Sequence, residues 1–432
     1  MLRVFFSVGE PSGDLHGANL IRQLRHLDPQ IRSIGLGGPK MAQAGCELQA
    51  DLTELAVMWF SRVVWNVHRF WSLLRQAEMT FRYQRPDAVV LIDYPGFNWW
   101  VARRAKVYGI PVFYYGAPQI WAWASWRVGK MRRLVDHVLC KLPFETRWYR
   151  ERGCPASYVG HPYFDDMHGQ QLDQRFLLDI RGPRPLLTLL PGSRRQEVEA
   201  NLPAFLKTAA IVRRTVPDVR VAIASFNDSQ AEIARQFIRH GGYARDKFEV
   251  HVGRTRELIH AADCCLACSG SVSLELLYEA KPTVIHYGIG RLAYRLQNLF
   301  RRVKFITLVN LLAVDDPFRR GANQYDPDLT PVSEVPFPEY LTHEDRSSQM
   351  AHHLIRWLVC PSARQAAGQR LEELKNRIVQ LGASERAAGF IVGTLRRRAR
   401  PTATPASSPS PKVEATEESE QAPSSANSTH AA

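Results

Sequence analysis

Arg3-Val4-Phe5-Phe6-Ser7-Val8 runs directly into Gly9-Glu10-Pro11-Ser12-Gly13-Asp14, and a segment of helical period begins near Leu15. A β-rich run, a small-residue turn and a helix, in that order, open a βαβ unit, the building block of a parallel sheet. The same grammar returns along the chain. Strands are expected at 3–8, 31–35, 88–93, 112–115, 137–140 and 157–159, and a second series at 186–190, 220–224, 248–251, 264–267 and 283–287. Between Gly160 and Pro185 the pattern weakens into Gly, Pro, Asp and Gln, as a linker between two lobes does. The reading is therefore α/β, with two similar lobes facing across a cleft and function in the strand-to-helix loops, where strand C-termini point.

Length and composition agree with that frame. At about 150 residues per domain, a chain of 432 residues holds two to three domains. With 45% apolar and 23% charged residues it can bury a large core. The division expected is 1–165, 166–345, a helical stretch 346–400, and a disordered tail 401–432 rich in Pro, Ser, Thr, Ala and Glu. The net charge of +14 calls for an anionic partner, whether nucleic acid, a phosphorylated metabolite or an acidic membrane. No zinc-finger or RRM-like signature supports nucleic acid. Seven cysteines do not make a disulfide scaffold, so a reducing cytoplasm is the simplest compartment. The apolar run at the start is too short for a signal peptide, and no stretch approaches the ~18 apolar residues of a spanning helix, so membrane contact is expected to be peripheral.

Four loops carry candidate chemistry. Gly9–Asp14 can admit an anion or a polar sugar, or it can be a tight turn with Asp14 as helix cap. In Leu91-Ile92-Asp93-Tyr94-Pro95-Gly96-Phe97-Asn98 an apolar strand delivers a carboxylate to its C-terminal edge, where it can take a proton from an attacking hydroxyl or merely cap a turn. Leu189-Leu190-Pro191-Gly192-Ser193-Arg194 can aim turn amides and a guanidinium at a diphosphate. Cys268-Ser269-Gly270-Ser271-Val272-Ser273-Leu274-Glu275 repeats the design, with a Glu suited to vicinal ribose hydroxyls. Cys264, Cys265 and Cys268 lack the further ligands of a zinc site, and His16, His161 and His286 read as structural.

Two stretches are basic and apolar together. Residues 57–71 include Trp59, Phe60, Trp65 and Arg69 without an acid, which suits either a membrane headgroup region or a core helix. Residues 291–304 add Arg295, Arg301 and Arg302, and Arg396–Arg398 make a third cluster.

Taken in order, Gly9–Asp14, Gly37-Gly38-Pro39-Lys40-Met41, Ile92-Asp93, Ile120-Trp121-Ala122-Trp123, Leu142-Pro143-Phe144-Glu145, Gly160-His161-Pro162, Leu190–Arg194, Ser269-Gly270, Glu275 and Asn310-Leu311-Leu312-Ala313 resemble the lipid-A-disaccharide synthase family over roughly the first 390 residues. The resemblance implies two Rossmann-like lobes of the GT-B type and an inverting, metal-independent glycosyl transfer with no cofactor. It implies UDP-2,3-diacylglucosamine as donor and 2,3-diacylglucosamine 1-phosphate (lipid X) as acceptor. The products are then a β-1′,6-linked disaccharide 1-phosphate and UDP, made at the cytoplasmic face of the inner membrane by a possible homodimer. It makes Asp93 the general base and Glu10 a second cleft acid. Arg194 would steady the departing diphosphate with Ser193 and the Ser269-Gly270 turn, and Glu275 and Asn310 would contact nucleotide or sugar. Gly96 stands where the family commonly has a second acid, Tyr115-Gly116-Ala117-Pro118 where it has Tyr-Val-Ser-Pro, and Val309 where it has Pro. A UDP-N-acetylglucosamine 2-epimerase on the same two-lobed frame, and a non-catalytic glycolipid or nucleotide sensor, are the competing readings.

Overall fold

The structure is a computed structural model, and it describes residues 1–53, 67–243, 247–318, 325 and 335–399. Trp59, Phe60, Trp65 and the tail from residue 400 lie outside the described residues. Strands β1 (Arg3–Val8), β2 (Arg32–Gly37), β3 (Cys46–Asp51), β4 (Ala88–Ile92), β5 (Val112–Tyr115), β6 (His137–Cys140) and β7 (Ala156–Tyr158) form one sheet. Its order is β3-β2-β1-β4-β5-β6-β7, with every neighbour parallel. Strands β8 (Leu186–Leu190), β9 (Arg220–Ser225), β10 (Glu249–Val252), β11 (Cys264–Cys268), β12 (Thr283–Gly288) and β13 (Glu339–Thr342) form a second, ordered β10-β9-β8-β11-β12-β13 and also parallel. The two-lobed reading holds. The sequence missed β3 and β13, edge strands of which the first is largely polar.

The central strands are apolar on both faces because helices cover both, as a parallel sheet requires. Val4, Phe5, Phe6, Val8, Val89, Val90, Leu91 and Ile92 are all fully buried, as are Leu187, Leu189, Cys264, Cys265 and Leu266. Strand order reverses between β1 and β4 in one lobe and between β8 and β11 in the other. At each reversal successive crossovers leave on opposite faces and open a crevice at the strand C-termini. Register brings the ends level, Val8 beside Ile92 and Leu190 beside Ala267. The loops Gly9–Asp14, Asp93–Gly96, Pro191–Arg194 and Ser269–Ser271 thus emerge at the two crevices.

The first helix starts earlier than its period suggests. It spans Pro11–Leu27, with the proline in its opening turn, where a missing N–H costs nothing. Toward the C-terminus, helix Ser347–Val359 packs on helix Arg195–Thr215 of the second lobe through Met350, Ala351, Leu354 and Trp357. The chain then returns. Helix Ala383–Ala399 lies on helix Pro11–Leu27, and Ala387, Ala388, Ile391, Val392 and Leu395 join the first-lobe core. Beside this return lies the outward crossing, helix Pro162–Gly169, whose Asp165 carboxylate accepts the N–H groups of Gly382 at 2.7 Å and Ser384 at 3.4 Å.

Candidate active site

Asp93 follows the last residue of β4 and is held by its backbone. Asp93 and Tyr94 both adopt left-handed conformations, φ +46° and +40°, before helix Pro95–Val107 begins. Two consecutive residues of this kind persist only when the surroundings over-determine them. They do so here: the Asp93 carbonyl accepts from Asn98 Nδ2 at 2.8 Å and from the Tyr114 hydroxyl at 2.6 Å. Asn98 is itself buried, takes the Ser7 hydroxyl at 2.6 Å and donates to Ser7 O and Ile92 O at 3.2 Å. Gly9 makes room for the result, since a Cβ there would lie 2.3 Å from the Tyr94 ring. Gly96 faces open space, with nothing within 4 Å of an added Cβ.

Lys141, one residue past β6, donates to Asp93 Oδ1 at 3.4 Å. Sequence reasoning missed it; the available signal was a lone lysine ending an apolar strand in the sheet that also carries Asp93. Burial alone would pull the ammonium down, but Asp93, Glu145 and Glu10 more than offset this and hold its proton on. Gly116 is what admits it: its φ is +67°, and a Cβ would sit 3.1 Å from Lys141 Nζ and 3.5 Å from Asp93 Oδ1. Glu10 completes the cluster. Burial and then the Asp93 charge raise its carboxyl above the ordinary range, while Arg194 from the opposite lobe and Lys141 oppose the rise. Acids of one lobe and a guanidinium of the other therefore share one field across the cleft.

Several motif residues prove to be scaffolding. Asp14 lies within its helix and caps the next one, accepting from Gly38, Lys40 and Met41 N–H groups at 3.0 Å each. The reading of Asp14 as cap of its own helix is corrected: Glu10 is at that position, with no side-chain cap bond. Glu145 accepts from Trp121 Nε1 at 2.9 Å and from the Lys141 and Leu142 amides at 3.2 Å, so it locks the turn that presents Lys141. His161 caps helix Pro162–Gly169 by accepting from Tyr163 N at 3.3 Å. His286 bonds Asn201 at 3.0 Å. Burial drives His161 well below its ordinary value and His16 to about 3, so both rings are neutral.

In the second lobe Arg194 precedes helix Arg195–Thr215 and is largely exposed, with Glu197 Oε1 at 3.2 Å. The turn amides are differently placed from the expectation. Ser193 N and Arg194 N both donate to Glu197 Oε2, at 3.0 and 3.1 Å, so these amides are already engaged and would be open to an anion only if Glu197 were displaced. Ser269 bonds Ile306 O at 3.2 Å, and Gly270 is exposed at the head of helix Val272–Tyr278. Glu275 receives the Tyr163 hydroxyl on Oε1, while its buried Oε2 has no hydrogen-bond partner among the described residues. Burial raises its carboxyl, opposed by Tyr163 and Arg256. That unspent acceptor is suited to a hydroxyl pair.

Asn310 is not brought to the cleft. It is fully buried, donates to Phe337 O at 2.8 Å and Glu339 Oε2 at 3.0 Å, and accepts from Phe337 N at 3.0 Å. Its amide holds the segment before β13 in place and has no donor left for a sugar. Arg69 is exposed on helix Val67–Tyr83, whose Trp71 meets Trp100 edge-on at 5.6 Å. Among the described residues no helix is long and apolar enough to cross a membrane.

Comparison with known proteins narrows the chemistry. The family model for lipid-A-disaccharide synthetase matches residues 4–322. A lipid-A-disaccharide synthase of Trichlorobacter lovleyi is 31% identical over 403 residues, covering 91% of this chain and 98% of its own. One from Myxococcus xanthus is 32% identical over 395 residues, covering 91% and 97%. Among solved structures, the S. aureus MnaA-UDP co-structure superposes with a TM-score of 0.61 at 12% identity, covering 92% of this chain and 97% of that one. The calicheamicin glycosyltransferase CalG4 gives 0.55 at 15% identity, with 93% and 100% covered. These likenesses show the fold, which is GT-B.

Proposed function

The chain belongs to the lipid-A-disaccharide synthase family of glycosyltransferases, and from that premise we propose that it joins two acylated glucosamines with inversion at the transferred carbon. The donor is UDP-2,3-diacylglucosamine. The acceptor is 2,3-diacylglucosamine 1-phosphate, attacking through its 6-hydroxyl. The products are the β-1′,6-linked disaccharide 1-phosphate and UDP. Because the substrates are acylated anions, the enzyme works at an anionic membrane surface, the cytoplasmic face of the inner membrane.

The observation that supports this reading best is the charge cluster spanning the cleft, with Asp93, Glu10 and Lys141 on one lobe and Arg194 on the other. Asp93 takes the proton of the acceptor hydroxyl as the new C–O bond forms. Lys141 engages Oδ1 and so leaves Oδ2 to the substrate. Negative charge builds on the departing diphosphate at the other side of the sugar, and the Arg194 guanidinium meets it there, with Ser193 and the Ser269-Gly270 turn adjoining. Glu275 takes the ribose through Oε2, oriented by Tyr163. With a leaving group already activated, orientation, proton removal and fixed charge supply most of the rate.

Replacing Asp93 by Asn keeps the shape and removes the base. Turnover, followed as UDP release with both lipid substrates, falls by about 10³-fold or more, given that general-base assistance is worth roughly 10²–10⁴. UDP affinity stays within twofold. Near-normal turnover in Asp93→Asn sinks the assignment, and UDP release without acceptor consumption or disaccharide formation, judged by mass, sinks the reaction.

A further inference from the structure

Helix Arg291–Phe300 follows β12 on the second-lobe rim and turns an apolar face outward. Leu292, Leu296 and Leu299 are 72%, 51% and 68% exposed, and their spacing puts them on one side of the helix. The first lobe extends the same surface: Trp126, 65% exposed, meets Phe300 at 6.4 Å between ring centroids. Arg302 N donates to Ala122 O at 2.9 Å, which ties the chain just past the helix to the short helix Ile120–Trp123 of the first lobe. Arg291 and Arg295 are exposed on the same helix, Arg302 is exposed just past its end, and Arg127 and Lys130 are exposed close after Trp126 in the chain. Neither contributing stretch offers an acid, since none occurs from 94 to 135 or from 280 to 314.

Exposed leucines and a tryptophan on stretches that carry cations and no acid fit one surface well, a bilayer with anionic headgroups, where apolar side chains enter the acyl boundary and cations stay among phosphates. A second copy fits poorly. Two-fold pairing of this patch would set arginine against arginine.

We propose that the outward face of helix Arg291–Phe300, together with Trp126, is the docking surface that seats the cleft mouth on an anionic membrane. The proposal rests on the reading of the substrates as acylated, and it places membrane contact on an element other than residues 57–71.

The test uses the full chain and vesicles of phosphatidylethanolamine with about 30% phosphatidylglycerol, measured by co-sedimentation beside UDP release in detergent micelles. Leu292→Ser, Leu296→Ser and Leu299→Ser combined should lower vesicle partitioning at least tenfold while micellar turnover stays within threefold. Arg291→Glu with Arg295→Glu should lower it comparably, and raising salt should weaken the wild type. Exposed Leu178→Ser is the control. The charge-reversed variant keeps the idea testable should the triple serine variant unfold. Undiminished partitioning of the variants, or no binding by the wild type, overturns the proposal whatever the enzyme turns over. A loss of dimer in the serine variant, measured by sedimentation, would make the patch a self-interface and also overturn it. Failure of micellar turnover in the wild type would strike the reaction instead.

Discussion

Removing the charge of Lys141 should expose how far the proposed base depends on its neighbour. Lys141→Met keeps the side chain's length and apolar stem and deletes the ammonium. At 3.4 Å and an effective dielectric constant of about 20, the gross attraction to Asp93 is about 5 kcal/mol. Desolvation takes back much of that. The two side chains are 16% and 19% exposed, so the pair lies between solvated pairs, at about 0–1 kcal/mol, and fully buried ones, at about 3–5 kcal/mol when broken. A loss of about 2 kcal/mol is the working figure for stability, and with Asp93 Oδ1 no longer anchored kcat should fall by about 10- to 100-fold through lost orientation. The sign in pH follows from charge. Without the cation, burial and the Asp93 charge raise the Glu10 carboxyl with less opposition, so the acidic limb of kcat/KM moves to higher pH. Activity should recover in part above that limb, which a merely misfolded variant would not do. The assay is UDP release from pH 5.5 to 9.5, with KM for both substrates. A kcat within threefold of wild type and an unmoved limb would refute the reasoning.

Asp14→Ala strips three N–H groups of their acceptor, two of them from buried residues, and should cost about 2–3 kcal/mol in urea denaturation; a loss under about 0.5 kcal/mol would mean the cap is dispensable. Stability should also fall with acid. Burial lowers His16 to about 3 and His137, His286 and His353 to about 4, from 6.5 unfolded. The unfolded chain therefore binds protons that the folded one refuses, and stability held above pH 6.5 drains away as the pH falls from there toward 4. Glu339, raised by burial to about 7, works the other way, because its contribution is lost as pH rises through 7. His161 is a fifth lowered imidazole, and Glu10, Glu145, Asp166 and Glu275 are raised carboxyls beside Glu339. The imidazoles should prevail because their unfolded value of 6.5 lies inside the window, so Tm should drop between pH 7 and 5, and His16→Gln should flatten that slope; an unchanged slope would remove His16 from the account.

The sequence made the crevice loops legible because each joins an apolar strand to a helix within a few residues rich in Gly, Pro, Ser or Asp, and those constraints are local. That is how Asp93 and Arg194 stand out as candidates. Lys141 does not, since its meaning comes from sitting two strands further along the chain yet beside Asp93 in space, in room left by Gly116. The turn amides at Ser193 and Arg194 looked free for a phosphate until Glu197, a turn later, was seen to take both. Asn310 read as a ligand because it sits in a recurring motif, but a motif also recurs where a buried amide holds a loop. Strand β3 escaped because it buries little and carries weak alternation, whereas β13 is mostly buried but is only four residues long and opens on a carboxylate, Glu339.

The chain passes between its lobes twice, and the two passages lie side by side, stapled by the Asp165 carboxylate to the backbone of Gly382 and Ser384. Two adjacent cords resist twisting in a way that one does not. Any opening of the cleft therefore has to bend at those residues and to break the 2.9 Å bond from Arg302 N to Ala122 O that ties the lobes elsewhere.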